Sequence, residues 1–399
     1  MSFKRILYLH RTQGKGAEGS HIRGMVDAFR AEGFHVDILG PPGIDPYETL
    51  SPNSREKTKT GQRLWGKIAD SLPQLAFEIL ELGYNVYSRF QIQAMLQSRG
   101  YSFIYERYAL NSICGSLLAK KYSLPHVIEV NDATVIERSR PLVLKKLAAS
   151  IERESLGRSL LIVTISHAFK DLLIKKHGIA PEKILVLPNA VNPDNYILNS
   201  VKRLKREALG IGTNQIVLGC VGAFVPWHGL EFMIESLHDL IARENLFILF
   251  VGDGPVRSKV ECLARRYNIS GQVTFTGFVD ACEVPYYLDL IDICVIPDSN
   301  EHCSPMKLFE YMAMGKAIVY PDYRPLLDTL THGVNGLVFE KKDANSLLKQ
   351  ITSLVVNDGL ITALGKQAKK TLLQKHTWQM NVNKLLKHLN SLMSGKQVV

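Results

Sequence analysis

The chain has 399 residues, 46% of them hydrophobic and 22% charged, with a formal charge of +10. That length exceeds one comfortable core and predicts two domains, and the composition excludes general disorder. No apolar run approaches the roughly 20 residues that span a bilayer, and the start is too soon interrupted for a signal peptide, so a cytoplasmic protein is expected; the charge favours an anionic partner, whether nucleotide sugar, acidic lipid or nucleic acid.

Residues 4–9 form a short apolar strand, followed by a loop bearing Gly14, Gly16 and Gly19 and an amphipathic helix through about Glu32. Strand, glycine loop and helix open a doubly wound domain. The second strand, 34–39, runs into Gly40-Pro41-Pro42 with no acid where a dinucleotide fingerprint needs one, so a plain dinucleotide site is not expected. Residues 41–66, with Arg55-Glu56-Lys57-Thr58-Lys59 at their middle, read as a long loop. Residues 66–97 turn helical, with Leu72, Leu75, Ile79 and Leu80 apolar. This segment is either a solvated helix pair or a surface for an acceptor or a membrane.

A strand at 103–108, a helix through Lys121 and a strand at 126–130 ending in Asn131 and Asp132 continue the alternation. Ligands of open parallel sheets gather at the carboxyl ends of strands, which brings Glu129, Asn131 and Asp132 into consideration; Asp132 is equally suited to cap a basic helix expected from about Arg138, with Arg140, to Arg158. Strands at 160–165 and 184–187, the latter passing into Pro188-Asn189-Ala190-Val191-Asn192, close the first domain. A polar, basic stretch over 192–215 marks the boundary.

Beyond it the alternation restarts. Residues 216–221 lead to Gly222 and Pro226-Trp227-His228-Gly229, and 246–251 to Gly252-Asp253-Gly254. Strands at 273–276, before Gly277-Phe278-Val279, at 292–296 and at 318–320 make a second parallel α/β domain. The six cysteines, 114, 220, 262, 282, 294 and 303, include no close Cys-x-x-Cys pair and read as reduced, mostly buried thiols.

The densest stretch is Asn300-Glu301-His302-Cys303-Ser304-Pro305-Met306-Lys307-Leu308-Phe309-Glu310-Tyr311-Met312-Ala313-Met314-Gly315. Ser304-Pro305 is a helix-start signal, in which the hydroxyl caps free N–H groups, and Gly315 ends the helix. Lys307 and Glu310 share one face beside an end that attracts anions, though the same spacing also makes an ordinary surface ion pair.

This motif, with Gly222, Gly252-Asp253-Gly254 and Gly277-Phe278 before it and Gly333-Val334-Asn335-Gly336 after it, resembles family-4 retaining GT-B glycosyltransferases along the whole second half. Tyr105-Glu106-Arg107-Tyr108, Glu129-Val130-Asn131 and Pro188-Asn189-Ala190-Val191-Asn192 extend the resemblance to the first half, where Ser166 and Asn189 correspond to edge positions of the ligand cleft. The resemblance implies two Rossmann-like doubly wound domains facing across a cleft: an acceptor-binding domain over 1–195 and a nucleotide-sugar-binding domain over 196–377, with a last helix at 378–395 returning to the first. It implies donor contacts from Gly16, Gly19, Gly222, Gly254, Phe278, Val279, Glu301, His302, Ser304, Lys307 and Glu310, with Glu310 on the ribose hydroxyls. Asn131 and Asp132 fall on the acceptor side. For Gly16 and Gly19, a tight turn with no ligand explains the glycines as well.

Two departures matter. Ala223 and His228 stand where many relatives carry arginine and lysine, so the fixed charge on the diphosphate falls to Lys307 aided by His228, or catalysis is lost. His302 stands eight residues before Glu310, where relatives have an acid, with Glu301 one position off register.

The resulting expectation is transfer of a sugar from a nucleoside-diphosphate sugar, UDP-linked first, to a hydroxyl of a glycan, lipid-linked or small-molecule acceptor with retention, in glycan, glycolipid or surface polysaccharide biosynthesis. Lys307, Glu310, His228 and Asp132 are its catalytic candidates. No metal and no other cofactor is expected, nor nucleic-acid binding; contact with the inner face of a membrane is. A GT-B nucleotide-sugar epimerase and a non-catalytic nucleotide-sugar-binding protein are the alternatives.

Overall fold

The computed structural model describes residues 4–47, 72–134, 136, 141–199 and 204–395. The expected loop centre at 55–59 and Arg138 and Arg140 lie outside them. The chain divides into two compact units, residues up to Pro188 with those from Asn381 onward, and Asn189–Met380.

The first unit runs β1 (Arg5–Leu9), α1 (Gly16–Ala31), β2 (His35–Leu39), α2 (Gln74–Ser98), β3 (Phe103–Arg107), α3 (Cys114–Lys121), β4 (His126–Val130), α4 (Lys145–Arg158), β5 (Leu161–Thr164), α5 (His167–His177) and β6 (Ile184–Val186). Its described strands form one parallel sheet in the order β2-β1-β3-β4-β5-β6. Both faces are covered, so the strands read as nearly unbroken apolar runs. Along β1, Leu7 and Leu9 pack with Ile104, Ile92 and Leu118 on one face. On the other, Tyr8 stacks on Tyr105 at 5.1 Å and Phe29 of α1 meets Tyr105 edge-on at 5.5 Å.

The helix expected from about Arg138 begins at Lys145, and Asp132 does not cap it. Its first free N–H groups are met from another element: the buried Glu78 carboxylate of α2 accepts from the backbone N–H of Val143 at 2.8 Å and of Leu144 at 2.7 Å. A side chain distant in sequence thus does the capping that local sequence was expected to do.

The second unit runs β7 (Ile216–Val221), α6 (Leu230–Arg243), β8 (Leu246–Val251), α7 (Arg257–Arg266), β9 (Val273–Phe275), α8 (Val284–Leu290), β10 (Ile293–Val295), α9 (Met306–Ala313), β11 (Ala317–Pro321), α10 (Arg324–Leu327), β12 (Leu337–Phe339), α11 (Ala344–Val355) and α12 (Asp358–Lys375). The order β12-β11-β10-β7-β8-β9 is that of a dinucleotide-type Rossmann sheet. Alternation along the strands feeds two cores. Leu218, Ile248 and Val295 point to one with α6 and α11, and Val217, Leu249 and Cys294 to the other with α9 and α12.

The final helix α13 (Trp378–Met393) buries Val382, Leu385 and Leu389. Asn381 Nδ2 donates to the Pro188 carbonyl at 2.8 Å and Lys384 Nζ to that of Val186 at 3.3 Å. The six cysteines are free thiols; 114, 220 and 294 are buried, but Cys262 and Cys282 are exposed, contrary to a mostly buried set, because Cys262 lies on the outward side of α7, which buries Val260, Leu263 and Ala264 instead, and Cys282 lies in the turn before α8.

Candidate functional site

In a parallel sheet of this kind, ligands bind beyond the carboxyl ends of the strands at the point where strand order reverses. In the second unit that point lies between β7 and β10. The loop after β7 carries Gly222, at φ 127°, and Gly229, at φ 68°; that after β10 leads through Asp298 to Ser304 and into α9. The two loops touch. A Cβ built on Gly229 would lie 2.6 Å from that of Asp298, and one on Gly222 would lie 3.7 Å from Lys307 Nζ. Gly222 thus leaves backbone open beside an ammonium.

Lys307 is 8% exposed and has no hydrogen-bond or ion-pair partner among the described residues. Its charge is felt throughout the site. Burial pushes up the thiols of Cys220 and Cys303 and the carboxyl of half-buried Glu310, and Lys307 opposes each shift. At His228, burial and Lys307 act together and lower the pKa to about 4. His228 Nδ1 lies 2.5 Å from the Ala223 carbonyl oxygen, which can only accept, so Nδ1 carries the hydrogen and the ring is neutral at pH 7. The fixed cation of this loop pair is therefore Lys307, with His228 a neutral neighbour.

Glu310, one turn along α9, accepts a hydrogen bond from the Tyr196 hydroxyl at 3.2 Å. Ser304 does not cap α9. The N-cap is Pro305 without a side-chain bond, and Ser304 Oγ instead accepts from the Asn189 N–H at 3.2 Å while Asn189 Nδ2 donates to the Ser304 carbonyl at 2.5 Å. That leaves the first N–H groups of α9 without a cap from its own loop. Asn300 Oδ1 accepts from the backbone N–H of His302 and Cys303 at 3.0 and 2.7 Å, which sets the loop, and exposed Glu301 pairs with Lys341 at 2.7 Å.

The glycines after β8 serve close backbone approach. A Cβ on Gly252 would lie 2.0 Å from the Gly222 carbonyl oxygen, and one on Gly254 2.5 Å from that of Phe224. Gly277 is at φ 73°, and after it Phe278 is 82% exposed while Val279 packs against the core.

In the first unit the strand order reverses between β1 and β3, and a pocket lies there, lined by His10, Arg11, Tyr84, Glu106, Arg107 and Ser112. His10 is held near pKa 4 by burial and by Arg107. Buried Glu129 is pushed up by burial, but His21, Arg107 and Tyr105 outweigh this and keep it well below the usual carboxylate range; Arg107 donates to it at 2.9 Å and Tyr105 at 2.5 Å. Asn131 also donates to Glu129, and Asp132 is exposed. Gly16 is at φ 56°, and a Cβ on Gly19 would meet the Gly14 carbonyl oxygen at 2.1 Å, so both are required by the turn itself.

Of the residues singled out from sequence, Gly222, His228, Ser304, Lys307 and Glu310 therefore converge around one switch point, with Gly254 packed on the same loop. Glu301 and Phe278 extend from its neighbouring loops. Gly16, Gly19, Asn131 and Asp132 belong to the other unit. Tyr196, which holds Glu310, and His10 and Arg11 in the first pocket were not singled out. A hydrogen bond between residues 114 apart leaves no local pattern, whereas His10-Arg11 at the end of the first strand is a signal that the switch-point rule could have used. Ser166 Oγ accepts from the Phe169 N–H at 3.1 Å, a capping bond at the start of α5.

Two Rossmann-type units with glycine loops at their switch points define a protein of GT-B fold. Residues 201–371 match the family described as glycosyl transferases group 1, and residues 19–195 that described as glycosyltransferase family 4. The chain belongs to the group 1 glycosyl transferases, a family of sugar-transferring enzymes. It is 24% identical over 236 residues, 58% of this chain, to an uncharacterized glycosyltransferase of Methanocaldococcus jannaschii. It is 25% identical over 272 residues, 65% of this chain, to the 2-deoxystreptamine glucosyltransferase of Streptomyces kanamyceticus. The chain spans 60% of the length of the first and 64% of the second. The structure of Anabaena HepE in complex with UDP superposes with a TM-score of 0.68 at 17% identity, over 97% of this chain and all of that one.

Proposed function

We propose that the chain transfers a sugar from a nucleoside-diphosphate sugar, UDP-linked first, to an acceptor hydroxyl with retention at the anomeric carbon. The observation that carries this reading is the buried Lys307 ammonium beside the open backbone of Gly222, with half-buried Glu310 one turn away on α9. Two oxygens of a carboxylate suit a ribose diol, and an ammonium suits a diphosphate. The UDP held by the Anabaena protein of the same fold supports the choice of nucleotide.

In this reading the bond between the anomeric carbon and the β-phosphate oxygen breaks, and the acceptor oxygen bonds to that carbon on the same face. The departing oxygen gains charge as it leaves. Lys307 and the uncapped N–H groups of α9 stabilise that charge, and the phosphate oxygen takes the acceptor proton, so no side chain need act as base. His228, neutral, orients the loop through Ala223. Gly222, Gly254, Phe278, Val279, His302 and Ser304 line or shape the donor side, Glu301 its rim, and Asn131 and Asp132 of the first unit are assigned to the acceptor. Lys307 supplies the cation, so chelators leave turnover unchanged. Glycan, lipid-linked and small-molecule acceptors all fit, with the protein working on the cytoplasmic side of a membrane.

The test is turnover of a panel of UDP-, GDP- and TDP-sugars, with the anomeric configuration of the product read by NMR. Consumption of one donor, retained configuration and loss of turnover in Lys307→Ala and Glu310→Ala support the reading. Turnover without any acceptor that yields an epimerised donor overturns it, as does binding of donor with no turnover under any acceptor.

A further inference from the structure

Helix α2 faces the wrong way for a helix of a soluble protein. Its last turns bury Ile92 and Leu96, but before them its inward side is polar: Glu78 holds the N–H groups of Val143 and Leu144, Glu81 accepts from Arg11 at 2.7 Å, and Asn85 bonds the backbone of Asn111 and Ile113. Its outward side is apolar. Leu75, Ile79, Val86 and Phe90 fall within an arc of about 60° at 100° per residue. All four are exposed, Val86 at 62% and Phe90 at 70%. Val143 and Leu147, also exposed, extend this surface where Glu78 ties α2 to the start of α4. An amphipathic helix normally turns its apolar side inward, so polar bonds that hold this one with its apolar side out leave a face that water does not favour.

We infer that this face docks on the anionic headgroup surface of a lipid bilayer. Charge selects that occupant. Arg89, Lys145 and Lys146 are exposed around the apolar stripe, while both acids of α2 point inward and are engaged. A second copy docked face to face would set these cations against one another, whereas acidic lipid meets them. None of the described helices is long and apolar enough to cross a membrane, so the contact is interfacial. The same helix supplies Tyr84, Ser88 and Ile92 to the pocket at the first unit's switch point. Docking through its outer face brings that pocket to the lipid surface, which deepens the proposed function by selecting a lipid-linked acceptor; the docking itself does not rest on that reading.

The test is co-sedimentation of the full chain with phosphatidylcholine vesicles and with vesicles containing about 30% phosphatidylglycerol. Binding is expected to the anionic vesicles alone and to weaken in about 0.5 M salt. The Ile79→Glu/Phe90→Glu and Lys145→Glu/Lys146→Glu variants, all at exposed positions, are each expected to lose binding by about tenfold or more while circular dichroism stays native. Failure of the wild type to bind, or equal binding by both variants, overturns the inference. So does a wild-type dimer in solution that Phe90→Glu converts to monomer, which would assign the face to a second copy. Donor turnover without vesicles should be the same in Phe90→Glu and wild type, so loss of docking and loss of the donor reading are separable.

Discussion

Tyr196 and Glu310 are joined by a hydrogen bond of 3.2 Å between the phenol and one carboxylate oxygen. The bond fixes the carboxylate assigned to the ribose before any ligand arrives, and with Lys307 it opposes the upward shift that burial imposes on Glu310. A hydrogen bond to a charged group of this kind is worth about 1.5–3 kcal/mol when lost. Tyr196→Phe should therefore lower the melting temperature by a few degrees and weaken UDP binding by about tenfold with the fold retained; calorimetric titration with UDP checks it, and unchanged affinity would remove Tyr196 from the site.

The neutral state of His228 has a consequence for pH. A bound diphosphate favours the protonated ring, so the pKa in the complex lies above the value of about 4 in the free protein. Binding then takes up a proton, and UDP affinity should rise as pH falls from the pKa of the complex towards about 4. His228→Ala should flatten that slope. The same depressed pKa has a stability sign: the unfolded chain binds the proton first, so stability is lost as pH falls from about 6.5 to about 4.

Glu301 stands exposed in an ion pair with Lys341 at 2.7 Å. Exposed pairs contribute about 0.2–1 kcal/mol, and the pair holds the acid at the rim. Glu301→Gln should change turnover by no more than about threefold; a loss comparable to that of Lys307→Ala would give Glu301 the sugar-contacting role.

Gly252 cannot accept a side chain. At φ 139°, a Cβ there would lie 2.0 Å from the Gly222 carbonyl oxygen. Gly252→Ala should cost about 2 kcal/mol or more in chemical denaturation and displace the Gly222 loop. Gly43→Ala, at φ 72° but with open space around the added carbon, is the comparison for backbone strain alone.

The buried Glu78 carboxylate offers a parallel case in the first unit. Glu78→Ala leaves two N–H groups at the start of α4 unmet and should cost about 2 kcal/mol. Urea denaturation measures this; a cost under about 0.5 kcal/mol would show that water replaces the carboxylate.

The alternation of strand and helix was legible because strands covered on both faces read as apolar runs, and 216–221, 246–251 and 126–130 declared themselves in this way. The glycines of the second unit and the Lys307–Glu310 spacing were legible because local backbone geometry demands them. What escaped was nonlocal. Ser304 reads as a helix cap, but Asn189, 115 residues away, takes its hydroxyl. The start of α4 could not be placed because its cap is Glu78, and α2 hides its orientation because Glu78, Glu81 and Asn85 hold its first half by hydrogen bonds, while Ile92 and Leu96 near its end pack into the core. Glu129 is legible as the end of a strand, yet its partner His21 lies on α1 with no spacing to announce it.

The central claim is that Lys307 is the cation of a diphosphate site, and it is tested most directly by titrating wild type and Lys307→Ala with UDP and with uridine. The account predicts that the variant loses UDP affinity by about 100-fold while uridine binds both proteins alike, since only the diphosphate meets the ammonium. Equal affinity for UDP in the two folded proteins would contradict it.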